Sequence, residues 1–304
     1  MRIRPVRCAT IFFILLHFFK WNSTMRKYRW PLIIWLLFEI IAVVTTITTK
    51  NLFLFINFTY IGTSLGVGGI LMKKGWKHAR RLVQFLVGVY LLVFLGFLGH
   101  ENMQIEGFWY YLFSGVFAAA TLHYAIAKIF GPLLFGRGWC GYCCWTAMIL
   151  DLLPYKTPNK NGVQERKKIG FIRYIFFAAS LIFVVALLIL GLSDAQMKRI
   201  MFISFIATNV LYYAVGIVLA ILFKDNRAFC KYICPVTVFL RPMSYYSRLR
   251  VVCDQEKCIG CNACRRACPM EVDMLDPSRK RTNGTECILC GECERACPQG
   301  ALRK

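Results

Sequence analysis

Two octets, RGWCGYCC at 137–144 and RAFCKYIC at 227–234, carry Arg, an aromatic, Cys, Tyr and Cys at the same places. Arg137 matches Arg227, Trp139 matches Phe229, Cys140 matches Cys230, Tyr142 matches Tyr232, and Cys144 matches Cys234. Residues at i and i+4 face the same way on a helix, so the two sulfurs of each pair point together. Two such pairs at repeated helix ends converge on one four-thiolate site made of Cys140, Cys144, Cys230 and Cys234. That donor set suits zinc or an iron–sulfur cluster. A dithiol cycling through disulfides and a set of small buried hydrophobes are the competing readings. Arg137 and Arg227 would offset the site's charge. The four aromatics would shield it at the headgroup level, as an ordinary interfacial belt also would. Cys143 occurs in the first copy only and reads as a spare ligand.

A second doubled pattern lies at the C-terminal end. CIGCNACRRACP supplies Cys258, Cys261, Cys264 and Cys268, and CILCGECERACP supplies Cys287, Cys290, Cys293 and Cys297. This is C-x2-C-x2-C-x3-C-P twice, a run in which the fourth Cys reaches the other cluster. One [4Fe-4S] cluster is therefore expected on Cys258, Cys261, Cys264 and Cys297, and a second on Cys287, Cys290, Cys293 and Cys268. A pair of zinc sites fits poorly, because zinc takes four ligands from two C-x2-C knuckles without trailing prolines. Gly260 and Gly291 would let the backbone approach sulfide. Cys253 and Cys8 read as spare thiols. SRKR at 278–281 reads either as a solvated loop or as a docking patch for an acidic carrier.

These cysteines sit in a hydrophobic, basic chain. Of its 304 residues 58% are hydrophobic, and 38 Lys plus Arg stand against 15 Asp plus Glu. Soluble domains average about 45–50% apolar residues, so the surplus points to a membrane. A spanning helix needs about 20 apolar residues, and six windows offer them: 30–48, 52–72, 82–99, 108–127, 172–192 and 200–223. The first two, joined by TTKN, should form a tight hairpin. The eleven apolar residues at 9–19 read as an interfacial helix rather than a signal peptide, since KWNST has no small-x-small cleavage site. Basic residues before the first span and after the second and fourth (among them Arg26, Lys73, Arg80, Lys160, Arg166, Lys167 and Lys168) predict both termini in the cytoplasm. The basic excess is thereby assigned to membrane orientation and not to nucleic acid.

The expected fold class is an all-α polytopic bundle of about six transmembrane helices with a small α+β 2[4Fe-4S] ferredoxin module. Its divisions are a basic segment over 1–29, a membrane domain over 30–223 and a module over 253–304. The first motif lies in the 128–170 cytoplasmic loop, and the second motif and a linker occupy 224–252. Glu39, near the middle of the first span, is costly there if charged, so it reads as a proton acceptor beside a quinol site or as a neutral acid bonded between helices. His100 and His123 fall at opposite depths, which disfavours a shared haem. Gly62, Gly66, Gly68 and Gly69 would permit close packing. No nucleotide loop, hydrolytic triad or flavin fingerprint occurs.

GRGWCGYCC and RAFCKYICP, with six spans and the two-cluster tail, resemble the polyferredoxin-type membrane iron–sulfur family over 108–304. That family includes the quinol-oxidising membrane subunit of periplasmic nitrate reductase systems, the membrane electron donor to nitrous oxide reductase, and the iron–sulfur protein of cytochrome oxidase assembly. Its C-x3-C-P pattern is met by Cys230, Cys234 and Pro235, whereas the first copy has Trp145 in place of Pro and the additional Cys143. The expectation is an oxidoreductase-type component of the cytoplasmic membrane. It would pass electrons between an acidic cytoplasmic carrier of ferredoxin or flavodoxin type, or a membrane redox complex, and a membrane acceptor or donor. Two [4Fe-4S] clusters, a third cluster or metal ion at the paired motifs, and a quinone are the expected cofactors. Anionic lipids are the expected surface partner, and no nucleic acid is expected. The alternatives are a factor that binds and reduces copper for assembly of a metalloenzyme, since soft thiolates favour Cu(I), and a structural anchor.

Overall fold

The computed structural model describes residues 28–117, 119–156 and 168–303. The 9–19 helix, the basic residues before Tyr28, Cys8, Lys160, Arg166 and Lys167 lie outside the described residues. The chain divides into two compact units, Met1–Leu82 and Val83–Lys304.

In the first unit, α1 (Arg29–Thr49) and α2 (Leu52–Lys73) form the expected hairpin. Lys50 turns the chain with a left-handed φ of 55°, and the Asn51 side chain then accepts the Phe53 amide to start α2. The helices pack closely because Gly62, Gly66 and Gly69 lie against Phe38, Trp35 and Pro31. Most other apolar side chains of α1 face outward, Ile47 with 71% of its surface exposed, which suits lipid and not water.

The second unit takes up most of α3 (Ala79–Leu98), α8 (Ile172–Ile189) and α9 (Asp194–Phe223). From Tyr90 onward α3 has π-helical pitch, and at Gly96 the Phe205 ring of α9 fills the space a Cβ would need. The α9 helix begins with a capping box between Ser193 and Gln196. With 30 residues it rises about 45 Å, more than a hydrocarbon core of about 30 Å requires.

Five helices are therefore long and apolar enough to cross a membrane among the described residues. The fourth expected window, 108–127, is not one helix. It divides into α4 (Ile105–Phe113) and the apolar α5 (Ala120–Phe135), and α5 contains a π-pitched stretch at Ala125–Phe130. The break has a local cause: Ser114 closes α4 and Gly115 turns away at φ 70°, a conformation few other residues adopt.

Two short helices follow α5, α6 (Gly138–Tyr142) and α7 (Trp145–Leu150); two more follow α9, α10 (Ala228–Tyr232) and α11 (Thr237–Tyr245). The C-terminal module is closed by antiparallel β1 (Val252–Cys253) and β2 (Leu302–Arg303), with Val252 opposite Arg303. Between them α12 (Ala263–Ala267) and α13 (Glu292–Ala296) each carry the third Cys of a run. Cysteines and apolar residues of the module share one core cluster with Tyr124, Cys140 and Leu240.

Candidate metal centres

The two octets fold into the same turn. Each gives a five-residue helix, α6 or α10, preceded by its arginine. In the first, the amides of Cys143 and Cys144 both bond the Trp139 carbonyl, at 2.9 and 3.2 Å. In the second, Ile233 and Cys234 both bond the Phe229 carbonyl, at 2.9 and 3.0 Å. This doubly used carbonyl ends the helix before the second cysteine. Cys144 has extended backbone, with ψ at 118°, and leads into α7. The expected helical i, i+4 geometry is thus replaced by a helix-and-turn hook. The Cys144 and Cys234 amides are thereby diverted from the Cys140 and Cys230 carbonyls, which are left open to other donors.

The hooks then clasp each other. Arg137 of the first donates through Nη2 to the Cys230 carbonyl at 3.1 Å, and Arg227 of the second donates through Nη1 to the Cys140 carbonyl at 3.2 Å. Both arginines are 1% exposed. Arg227 also pairs with Asp151 at 2.5 Å, and Arg137 pairs with Glu286. This exchange brings Cys140, Cys144, Cys230 and Cys234 within mutual electrostatic reach. Burial pushes the Cys230 thiol up to about 12 and that of Cys234 to about 11, and neighbouring thiolates add to both shifts. At Cys140 burial acts in the same direction, but Arg137, Lys128 and Arg227 outweigh it and hold the thiol below its ordinary value.

These residues fit an anionic metal centre. Four thiolates cannot coexist in so buried a place without a central positive charge, and buried donors surround them. Arg137 Nε, Arg227 Nε and Trp139 Nε1 have no hydrogen-bond acceptor among the described residues. No three Cys, His, Asp or Glu residues among those described are close enough to grip a single ion. Cys143, 1% exposed, is buried beside the site, with its thiol pushed up by burial.

In the module, two cavities separate the eight cysteines. One is lined by Cys268, Cys287, Cys290 and Cys293 with Val251, Met270 and Met274. The other is lined by Cys258, Cys261, Cys264 and Cys297. Each contains three cysteines of one run and the fourth of the other. The fourth cysteines are matched in detail: the Val272 amide donates to Cys268 Sγ at 3.4 Å, and the Ala301 amide to Cys297 Sγ at 3.3 Å. Such N–H donors to sulfur tune a bound cluster's potential. Gly260 and Gly291 both take positive φ, 68° and 77°. Cys253 is not isolated, since it lines the second cavity beside Cys258. What betrays it in the sequence is its place five residues before Cys258.

The first cavity abuts the clasped hooks. The Tyr142 hydroxyl donates to the Leu289 carbonyl at 2.9 Å, and Glu286, next to Cys287, receives both Arg137 and Arg241. At Gly141 a Cβ would overlap the Ile288 carbonyl, so only glycine permits this approach. From the second hook, Lys231 pairs with Asp225 at 2.5 Å and with Glu271 at 2.6 Å. The second cavity faces away: Cys261 is exposed, and Ile259 is 64% exposed. The SRKR insert is neither a free loop nor wholly a patch. Arg279 donates to the Tyr245 and Ser247 carbonyls and Arg281 to that of Val251, which staples the module to its linker.

Glu39 lies in the first unit, where its Oε2 accepts the Thr59 hydroxyl at 2.9 Å. Glu106, just ahead of the expected fourth window, is 8% exposed on α4. The apolar run that follows it, FWYYLF, was the available signal.

Comparisons with known proteins agree with this division. Residues 257–302 match the family described as a 4Fe-4S dicluster domain. Residues 108–161 and 206–252, one hook in each, match the family described as a 4Fe-4S binding domain. An uncharacterized protein of Methanocaldococcus jannaschii is 28% identical over 205 residues, covering 65% of this chain and 76% of its own length. No solved structure matches significantly. The chain carries iron–sulfur domains of the electron-transfer type, beside helices compatible with membrane insertion.

Proposed function

We propose that this chain carries electrons across the cytoplasmic face of a membrane, between a one-electron carrier and a membrane redox partner, quinone being the chemistry that fits best. The observation that supports it most is the reciprocal clasp of Arg137 and Arg227, which makes two distant motifs into one site beside the Cys287–Leu289 loop. Cys258, Cys261, Cys264 and Cys297 would hold one [4Fe-4S] cluster, Cys268, Cys287, Cys290 and Cys293 a second, and Cys140, Cys144, Cys230 and Cys234 a third centre. Bound clusters supply one-electron transfer at potentials set by charge, N–H donors and exposure.

The protein's own part is placement and electrostatics. Arg137, Arg227 and Lys128 supply fixed positive charge around the paired cysteines, while Val272 and Ala301 donate to the module's sulfurs. The exposed Cys261 edge, with Ile259, Lys257 and Arg266, is the side on which a small acidic carrier would dock. The hooks, nearer the apolar helices, are the side for the membrane partner. The basic-loop pattern supports a cytoplasmic module.

Anaerobic, dithionite-reduced protein in detergent tests the proposal. Rapid reoxidation by a menaquinone analogue, monitored by EPR, is expected. Clusters that assemble normally but stay reduced would overturn it. Copper recovered in place of the third centre's iron would shift the paired motifs to metal delivery.

A further inference from the structure

The proposed electron path leaves one buried acid unused. Glu106 sits in the first turn of α4, where its carboxyl is bonded by its own backbone amide and by the Thr208 hydroxyl, 3.3 Å from Oε1. Its Oε2 is buried with no hydrogen-bond partner, and no Lys or Arg pairs with it among the described residues. A carboxylate so placed is poorly compensated, and its charge must respond to any charge that changes nearby.

The paired-cysteine site shares two buried tyrosines with Glu106. Tyr124 and Tyr212 each lie within electrostatic reach of both Glu106 and Cys234. A polar bridge ties the two regions: Gln104 Nε2 donates to Asn209 Oδ1 at 2.9 Å, and so does the indole of Trp145, the residue after Cys144, at 2.8 Å. Asn209 is held by its own donation to the Phe205 carbonyl at 2.7 Å. Three elements pack against α4, and each carries titratable groups, as α4 does. From α9 come Thr208 and Tyr212, with Asp194, Lys198 and Arg199 at its start. From α5 come His123 and Tyr124, with Lys128 nearer Cys140. The α8 helix carries Arg173 in its first turn, and in α4 itself Tyr111 bonds Glu101.

We propose that Glu106 is a proton-exchanging site coupled to the redox state of the paired cysteine motifs, binding one proton as that site gains one electron. This rests on the paired motifs being a redox centre. The electron comes from the one-electron carrier. The proton comes from water and forms an O–H bond at Oε2, which turns carboxylate into neutral acid. Oxidation of the site reverses both. Net charge in the buried region is then unchanged through the cycle.

Full-length protein in detergent, titrated by EPR between pH 6 and 9, is the test. In the wild type the midpoint of the third signal should fall by up to about 59 mV per pH unit, the one-electron, one-proton value. In Glu106→Gln it should be independent of pH, with the module's midpoints unaltered. Thr208→Val keeps the acid but removes its donor, so it should move the sloping region to higher pH. Reduction should also produce an infrared C=O band of a protonated carboxyl that Glu106→Gln abolishes and Glu39→Gln leaves. A third signal whose midpoint ignores pH, or a slope that survives in Glu106→Gln, overturns the assignment while leaving the paired site intact as a centre. Iron of only about eight per chain with no third signal refutes the underlying reading, and absence of the carboxyl band then overturns this one as well.

Discussion

Gly141→Ala adds a single methyl group where the first hook meets the module. The added Cβ falls on the Ile288 carbonyl oxygen, a backbone atom, in a loop whose Leu289 already holds a φ of 53°. No flexible side chain is available to yield, so hook and loop must separate. Overpacking of this kind costs about 1–3 kcal/mol, or roughly a 5- to 150-fold shift toward the undocked state. Alanine also favours the helix over glycine by about 1 kcal/mol, so the loss should fall on docking and not on α6. Hydrogen exchange of peptides spanning 284–291 reads it directly, as a loss of protection by that factor with the module's iron retained. Gly138→Ala is the control, because its Cβ would lie 3.3 Å from Phe135 Cδ2 and 3.5 Å from Leu289 Cδ1, both side-chain atoms that can shift. Equal protection in the wild type and Gly141→Ala would refute the close docking of hook to loop.

Other expectations follow from the buried ion pairs. Arg227→Met leaves Asp151 uncompensated and should destabilise by about 3–5 kcal/mol; thermal melts should show much of this recovered in Arg227→Met/Asp151→Leu. Failure of the second change to rescue would mean the clasp to the Cys140 carbonyl matters more than the charge. Lys231→Met should loosen the module, and the stability difference from wild type should be constant between about pH 6 and 9. Burial would lower the Lys231 value, but Asp225 and Glu271 raise it above the ordinary one. Its contribution is therefore complete below the ordinary lysine value, about 10.4, and fades only as pH rises through the higher folded value. A difference that disappears inside that window would contradict the pairing.

Much of the site was legible in the sequence because repetition is a strong signal. The doubled octet fixes one turn used twice, and the doubled Cys run divides into two cavities as the crossing of each fourth cysteine requires. Local geometry was less readable. Spacing of i and i+4 implies a helix, but whether the helix continues depends on which amide bonds the Trp139 or Phe229 carbonyl, a competition the residue types do not reveal. The break between Phe113 and Ala120 was hidden because hydropathy sums over both pieces, and Gly115 marks it only once its positive φ is seen. Arg279 and Arg281 read as surface charges because their carbonyl partners, Tyr245, Ser247 and Val251, are about 30 residues away. Glu106 was missed for the same reason, since α5, α8 and α9, not its own segment, pack over its helix.

In the proposed function, the two hooks together hold a third centre. Iron analysis of anaerobically purified protein, with and without Cys140→Ser/Cys230→Ser, tests it most directly. About twelve iron per chain, falling to about eight in the double variant with the module's EPR signals unaltered, is the expected result. About eight in both would contradict it.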